Sequence, residues 1–239
     1  MRREVVTRRR VLVTGGPGAL GTTVTRRFLE DGHEVAVPWV VEDEADRLRH
    51  ELAGFGDLML VRADLTRPDE VARILDEVEG ALGPVDALVH LAGMWRGGVA
   101  FHETDDATWD LVMDVNLRTA FNCARAVLPG MADRGWGRLV FVSSRTADRG
   151  GSRQVAYAVS KAAVAALAKA LADETRGTGV TANAVSPSVI DTPANRRSFP
   201  DSDHARWVTP GQLAAAIAYL TSDEAAAVTG AVVPVDGGV

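Results

Sequence analysis

The chain has 239 residues, 46% of them hydrophobic and 24% charged, enough apolar material for one large core without disulfides. A formal net charge of -6 and five scattered histidines argue against nucleic-acid binding and against a metal site, and the lone Cys123 cannot close an internal disulfide. With no apolar run of membrane-span length and no signal-peptide core behind the basic start, the expectation is a cytoplasmic protein of one domain, residues 1–239, without metal, nucleic-acid or membrane partners.

Residues 1–9 form an arginine-rich arm that reads as solvated, ahead of the short strand Val11-Leu-Val13. Thr14-Gly-Gly-Pro-Gly-Ala-Leu-Gly21 follows, then a helical stretch to Asp31-Gly32. Strand, glycine turn and helix in that order let a pyrophosphate approach backbone amides where the helix dipole favours an anion. Two registers compete in the turn, Gly16-x-Gly18-x-x-Gly21 and Thr14-Gly15-x-x-x-Ala19-x-Gly21, and a tight connection without ligand would satisfy the same local pattern.

Glu34 to Val41 reads as the second strand, with Pro38 near its end because it cannot donate to a ladder. Trp39 then stands where a carboxylate would bind the ribose of NAD, and Val40 where an arginine would meet the phosphate of NADP, so the choice of nucleotide stays open. A helix from Glu44 to Leu52, a strand Asp57 to Val61 and the segment Arg62-Ala-Asp64-Leu65-Thr66 come next, before a helix opened by Pro68-Asp-Glu70. Asp64, read alone, is a candidate cap.

Val85 to Leu91 is a fourth strand, ending on the small pair Ala92-Gly93. From Ala107 to Arg134 the pattern is one long helix with Asn116 inside it, a mediocre helix former whose place suggests a hydrogen-bonding role. Gly137 to Ser144 is the fifth strand, and Arg145 to Gln154 reads as a polar loop. Ser144 thus falls at the end of a strand, where open parallel sheets place ligands.

Tyr157-Ala-Val-Ser-Lys161 puts a tyrosine and a lysine four apart on one helix face. A phenol of pKa about 10 is too weakly acidic for proton transfer near neutrality, and a nearby cation lowers it by roughly 1–3 units. A surface pair on an ordinary amphipathic helix is the alternative. Gly179 to Val185 is strand six, followed by Ser186-Pro187-Ser188-Val189-Ile190-Asp191-Thr192. Residues 193–207 lack periodicity and read as a substrate-side lid, or as an ordinary surface loop. Thr209 opens the last helix, and Thr229 to Val239 supplies the final strand.

Taken together, the glycine turn, Ala92-Gly93, Asn116, Ser144, Tyr157-x-x-x-Lys161, the Pro187 to Thr192 segment and the Val-Asp-Gly-Gly ending resemble, from about Arg10 to Val239, the short-chain dehydrogenase/reductase family. Ala19, His90-Leu91 and Ser188 depart from its pattern. The resemblance implies a doubly wound, mainly parallel seven-stranded Rossmann sheet of order 3-2-1-4-5-6-7 with helices on both faces. It implies binding of NAD or NADP through Gly15, Gly18, Leu20, Gly21, Trp39, Asp64, Leu65, Ala92, Gly93, Tyr157, Lys161, Pro187, Ile190 and Thr192. It also implies a catalytic set of Asn116, Ser144, Tyr157 and Lys161 that interconverts a ketone and a secondary alcohol by hydride transfer, with the tyrosine as acid/base.

The family relation further implies a homo-oligomer, tetramer or dimer, for which the small-residue face Ala162, Ala166, Ala170 would serve unless it belongs to the core. A weak or inactive nucleotide sensor of the same fold, or an epimerase or dehydratase of the extended relatives, are the alternatives; the intact catalytic set argues against the first, and the lack of a C-terminal substrate domain against the second. Met94, Trp95, Arg145, Arg149, Gln154, Arg196 and Trp207 are expected to border a pocket for a small carbonyl or alcohol substrate. His90 is expected to be structural.

Overall fold

In the computed structural model, which describes residues 7–237, strands and helices alternate along the chain. Strands β1 (Arg10–Thr14), β2 (Glu34–Trp39), β3 (Leu58–Arg62), β4 (Ala87–His90), β5 (Gly137–Val142), β6 (Val180–Pro187) and β7 (Val232–Val235) form one sheet of order β3-β2-β1-β4-β5-β6-β7, with every neighbouring pair parallel. Parallel strands need crossovers, and these are helices: α1 (Ala19–Glu30), α2 (Glu42–Glu51), α3 (Pro68–Leu82), α4 (Asp106–Met113), α5 (Thr119–Arg134), α6 (Arg145–Arg149), α7 (Val155–Glu174), α8 (Pro193–Ser198) and α9 (Pro210–Thr221).

Alternation along each strand sorts its side chains between two cores. Leu12, Ala36, Leu88, Leu139, Phe141, Ala182 and Ala184 face one way and meet Ile74, Cys123, Met131, Val164 and Ala168. Val11, Val13, Val35, Val37, Val89, Val140 and Val185 face the other way and meet Val24, Phe28, Leu48, Leu213 and Ile217. Burying a strand on both sides is why these segments read as continuous apolar runs. Cys123 is a core thiol, its pKa pushed up to about 12 by burial.

Four details differ from the sequence reading. Residues 107–134 do not make one regular helix: a π-turn at Asp114–Arg118 separates α4 from α5. The segment after Ser144 is not all loop, because Ser144 accepts a hydrogen bond from Thr146 N and so caps the short α6. The described end of the basic arm is not simply solvated: Arg8 pairs with Glu34 and Asp57, and the Arg9 guanidinium lies 3.7 Å above the Trp136 ring and pairs with Asp223. Residues 1–6 of that arm, and residues 238–239 of the ending, lie outside the described residues. Finally, α7 is by length and composition apolar enough to cross a membrane, although no single run had that character; it packs here against β5 and β6 as a core helix.

The C-terminal ends of the strands all point to one edge. There the direction of strand order reverses between β1 and β4, the switch point where a parallel sheet opens a crevice.

Candidate active site

The glycine turn after β1 is shaped by close backbone packing. Gly15 has φ 67°, and a Cβ there would stand 2.8 Å from Ala92 N. At Gly21 a Cβ would fall 2.1 Å from the Gly15 carbonyl oxygen, and at Gly16 2.4 Å from the Val37 side chain. Those three glycines are required by the protein itself. Gly18 is different: it is exposed, it is the N-cap of α1, and a Cβ there would meet only the Gly15 carbonyl oxygen at 3.3 Å. The first turn of α1 carries no side-chain cap and no carboxylate, so its amides are left to an anionic ligand. Ala19 is exposed as the first residue of α1, so its methyl group takes nothing from the packing of the turn, and Leu20 packs partly into the core.

At the end of β2, Trp39 is partly buried, with the Arg62 guanidinium 5.9 Å from its ring centroid. Arg47 reaches back from α2 to donate to the Pro17 carbonyl at 2.6 Å, a contact the sequence did not signal. Asp64 is engaged locally, its Oδ1 accepting from Thr66 N at 2.9 Å and Thr66 Oγ1 at 2.7 Å. Leu65 is buried, and its carbonyl accepts from Asn122 Nδ2 at 3.0 Å.

Before Ala92-Gly93, where His90-Leu91 departs from the family pattern, a relay runs through His90. Thr14 Oγ1 accepts from Leu91 N at 3.2 Å and Ala92 N at 3.1 Å, which leaves its proton for His90 Nδ1 at 3.0 Å. The other ring nitrogen, Nε2, then carries the hydrogen and donates to Thr119 Oγ1 at 3.1 Å, whose own proton goes to the Val115 carbonyl at 2.7 Å. Burial pushes the pKa of His90 down to about 3, with the Lys161 charge adding to the effect, so the ring is neutral as this relay requires. His90 is structural, as expected, and it supplies the bracing of the central strand.

Asn116 sits fully buried in the π-turn, which re-aims its side chain. Oδ1 accepts from Met94 N at 2.7 Å, while Nδ2 donates to Met94 O at 3.0 Å and to Ser160 Oγ at 2.8 Å. Ser160 Oγ in turn donates to the Tyr157 carbonyl at 2.8 Å, and Ser143 Oγ donates to the Lys161 carbonyl at 2.8 Å. These two serines, beside Lys161 and Ser144 in sequence, tie α7 to its surroundings; adjacency was the only signal for them.

Lys161 and Asn116 lie under Gly93, with the Tyr157 ring next to Lys161 and the Ser144 hydroxyl bearing on the Tyr157 phenol. A Cβ at Gly93 would lie 3.0 Å from Lys161 Nζ and 3.1 Å from Asn116 Oδ1, so glycine alone leaves an exposed approach to both. Lys161 is buried, its Nζ donating to the Val142 carbonyl at 2.9 Å and lying 6.0 Å from the Tyr157 ring centroid, and burial pushes its pKa down to about 8. Burial also raises the phenol of Tyr157 above its ordinary value, with the Ser144 hydroxyl pulling the other way. The expected depression of Tyr157 by Lys161 does not enter this arrangement: burial sets the direction, and the Lys161 ammonium is turned to the Val142 carbonyl.

On the far wall, Pro187 ends β6, and Ile190 bridges to Val208 while its carbonyl accepts from Asn195 Nδ2 at 2.8 Å. Thr192 Oγ1 accepts from Asn195 N at 3.2 Å and caps α8, so its proton points elsewhere. Ser188 turns its hydroxyl to the Asp236 carbonyl at 2.7 Å, which lets it stand in place of glycine. Trp95 Nε1 donates to Gln154 Oε1 at 2.8 Å, which joins two of the expected pocket residues to each other. Three other expected pocket residues are engaged otherwise: Arg145 pairs with Asp236, Arg196 with Asp191, and Trp207 is buried against His204 and Phe199. Among the described residues no group of His, Cys, Asp or Glu gathers to hold a metal. The open Gly18, the uncapped start of α1 and the exposed Gly93 are features a dinucleotide would require of this edge.

A family model described as enoyl-(acyl carrier protein) reductase matches residues 18–239. The chain is 35% identical to an acetoacetyl-CoA reductase of Allochromatium vinosum over 95% of its length and 96% of the relative's. It is 34% identical to the 3-oxoacyl-[acyl-carrier-protein] reductase MabA of Mycobacterium tuberculosis, over 96% and 92% of the two chains. A short-chain type dehydrogenase/reductase from Mycobacterium ulcerans superposes with a TM-score of 0.92 at 28% identity, covering 98% of this chain and 90% of that one. Fold, site and relatives agree: the chain belongs to the short-chain dehydrogenase/reductase family and is an NAD(P)-dependent oxidoreductase that interconverts a carbonyl and a secondary alcohol.

Proposed function

We propose that the chain reduces the ketone of a 3-oxoacyl thioester, with Ser144, Tyr157, Lys161 and Asn116 as the catalytic set. The observation that carries this reading is the packing of Lys161 Nζ and Asn116 Oδ1 against the exposed Gly93, with the Tyr157 ring next to Lys161 and the Ser144 hydroxyl bearing on its phenol. Gly15, Gly18, Leu20 and Gly21 would hold the pyrophosphate, Trp39, Asp64 and Leu65 the adenosine end, and Ala92, Gly93, Pro187, Ile190 and Thr192 the ribose and nicotinamide. When bound, the nicotinamide supplies the hydride that the carbonyl carbon receives.

The chain supplies the proton and the geometry. Ser144 Oγ accepts from Thr146 N, so its own hydrogen, which bears on the Tyr157 phenol, is the one that would turn to the substrate oxygen. Tyr157, held protonated by burial, gives its phenolic proton to that oxygen as charge develops there. Lys161 would leave the Val142 carbonyl for the ribose, bringing its charge toward the phenolate that remains. Asn116 holds the Met94 backbone to Ser160 and so keeps the floor of the site fixed beside Lys161. The thioester class follows from the names of the two relatives, and the exposed Trp95, Val99 and Phe101 supply an apolar approach suited to an acyl chain.

The outward faces of α4, α5 and α7 support a homo-oligomer: Leu111, Phe121, Val159, Ala162, Ala166 and Ala170 are exposed there, so the alanine stripe is not core. A cytoplasmic setting is supported by the buried free thiol of Cys123. Following NADH and NADPH absorbance with 3-oxoacyl and 2-enoyl thioesters tests the reaction. Cofactor oxidation with the 3-oxoacyl compound is the expected result; oxidation with the enoyl compound alone, or with neither, would overturn the proposal.

A further inference from the structure

The turn after β7 gathers three segments that border the site. Asp236 Oδ1 lies 2.9 Å from Nε of Arg145, and the same guanidinium stands 3.7 Å from the Asp148 carboxylate. Both Arg145 Nε and Asp236 Oδ1 are buried without a well-aligned hydrogen bond, so the contact is held by charge rather than by direction. The Asp236 carbonyl accepts from Ser188 Oγ at 2.7 Å, and Ser188 N donates to Val235 O at 3.2 Å. Gly237, at φ 65°, packs so tightly on the end of the lid that a Cβ would fall 2.7 Å from the Arg206 carbonyl oxygen and 2.9 Å from the Trp207 carbonyl carbon.

Arg145 is the first residue of α6, directly after Ser144. A helix of five residues has no stability of its own, and this one runs into Gly150 and Gly151, so its position is set by what grips its first turn. That turn also sets the Ser144 hydroxyl, because Oγ accepts from Thr146 N only while the turn is formed. We propose that Asp236 is a positioning residue for the reaction, which through Arg145 fixes α6 and the rotamer of Ser144. Ser188 and Gly237 extend the same grip to the exit of β6 and to the lid. The proposal rests on Ser144 acting on the reacting oxygen.

Misplacement of a reacting group by about 1 Å can lower turnover on the order of 10²-fold, and a rotamer freed in part costs less. Asp236→Asn, which removes charge at constant shape, is therefore expected to lower kcat about tenfold, with KM and the fluorescence-titrated affinity for the reduced cofactor changed less than about twofold. Arg145→Met should do the same, the double variant should be no worse than the poorer single one, and exchanging the charges with Arg145→Asp and Asp236→Arg should recover part of the loss. Ser144→Ala serves as the reference. If Ser144→Ala loses turnover while Asp236→Asn keeps the parental kcat, the positioning role is wrong and the site reading stands. If Ser144→Ala itself turns over normally, both fall. Additive losses in the double variant would also overturn the coupling, and should Asp236→Asn fail to fold, Arg145→Met is judged by the same kcat and affinity limits.

Discussion

The two halves of the site are built on different principles. In the proposed proton-transfer half, function would lie in side-chain chemistry, and each group has its own hydrogen-bond partners: Asn116 has Met94 and Ser160, Lys161 has Val142 and Ser143, and Ser144 has Thr146. In the proposed nucleotide half, function would lie in backbone shape, and side chains can vary as long as the shape survives. Ala19, Leu91 and Ser188 all depart from the family pattern, yet the glycine turn, the Ala92-Gly93 step and the Ile190–Thr192 segment keep their course. A residue that does chemistry cannot be exchanged, whereas one that shapes a path can be replaced by another means of holding it, as Thr14, His90 and Thr119 show.

Breaking each half separately sharpens that contrast. The largest effect is expected from Tyr157→Phe, which removes the phenolic proton and leaves the ring: turnover should drop roughly 10²–10⁴-fold in a steady-state assay. Gly21→Ala comes next. Its Cβ would stand 2.1 Å from the Gly15 carbonyl oxygen, so the turn must shift, and a loss of about 1–3 kcal/mol in denaturant melts should accompany loss of cofactor binding. Gly18→Ala meets only one atom at 3.3 Å and should leave the melts nearly unchanged while weakening nucleotide affinity, which titration of protein fluorescence with NADPH and NADH would read.

Smaller still is His90→Leu, which strands the hydroxyls of Thr14 and Thr119 and is expected to lose about 1–3 kcal/mol of stability with kcat changed little. His90 also carries a pH signature. Its folded pKa of about 3 lies below the unfolded value, so between roughly pH 6.5 and that value the unfolded chain binds the extra proton. Its contribution is complete above the unfolded pKa and declines as pH falls, by up to ~1.4 kcal/mol per pH unit, and this slope should disappear from the stability curve of the leucine variant.

What could be read from the sequence was what is local. Strand alternation, the glycine turn and the spacing of Tyr157 and Lys161 each lie within one or two elements, and the family resemblance they carry implied the sheet order that the structure has. The π-turn was missed because inserting one residue barely changes the apolar periodicity of a helix. The relay through Thr14, His90 and Thr119 joins two strands and a helix, and the Arg145–Asp236 pair joins residues far apart in the chain, so no window of sequence contains either. The raised pKa of Tyr157 was missed for another reason: proximity to a lysine is visible in a sequence, but burial, which sets the sign here, is not.

The most direct test of the account is a paired measurement on Tyr157→Phe, titrating NADPH and NADH binding and then adding a 3-oxoacyl thioester to the saturated protein. The account predicts that the variant still binds the reduced cofactor, since the ring and the backbone path remain, together with turnover at saturation reduced at least about 10²-fold. Turnover close to that of the parent at equal cofactor occupancy would contradict it.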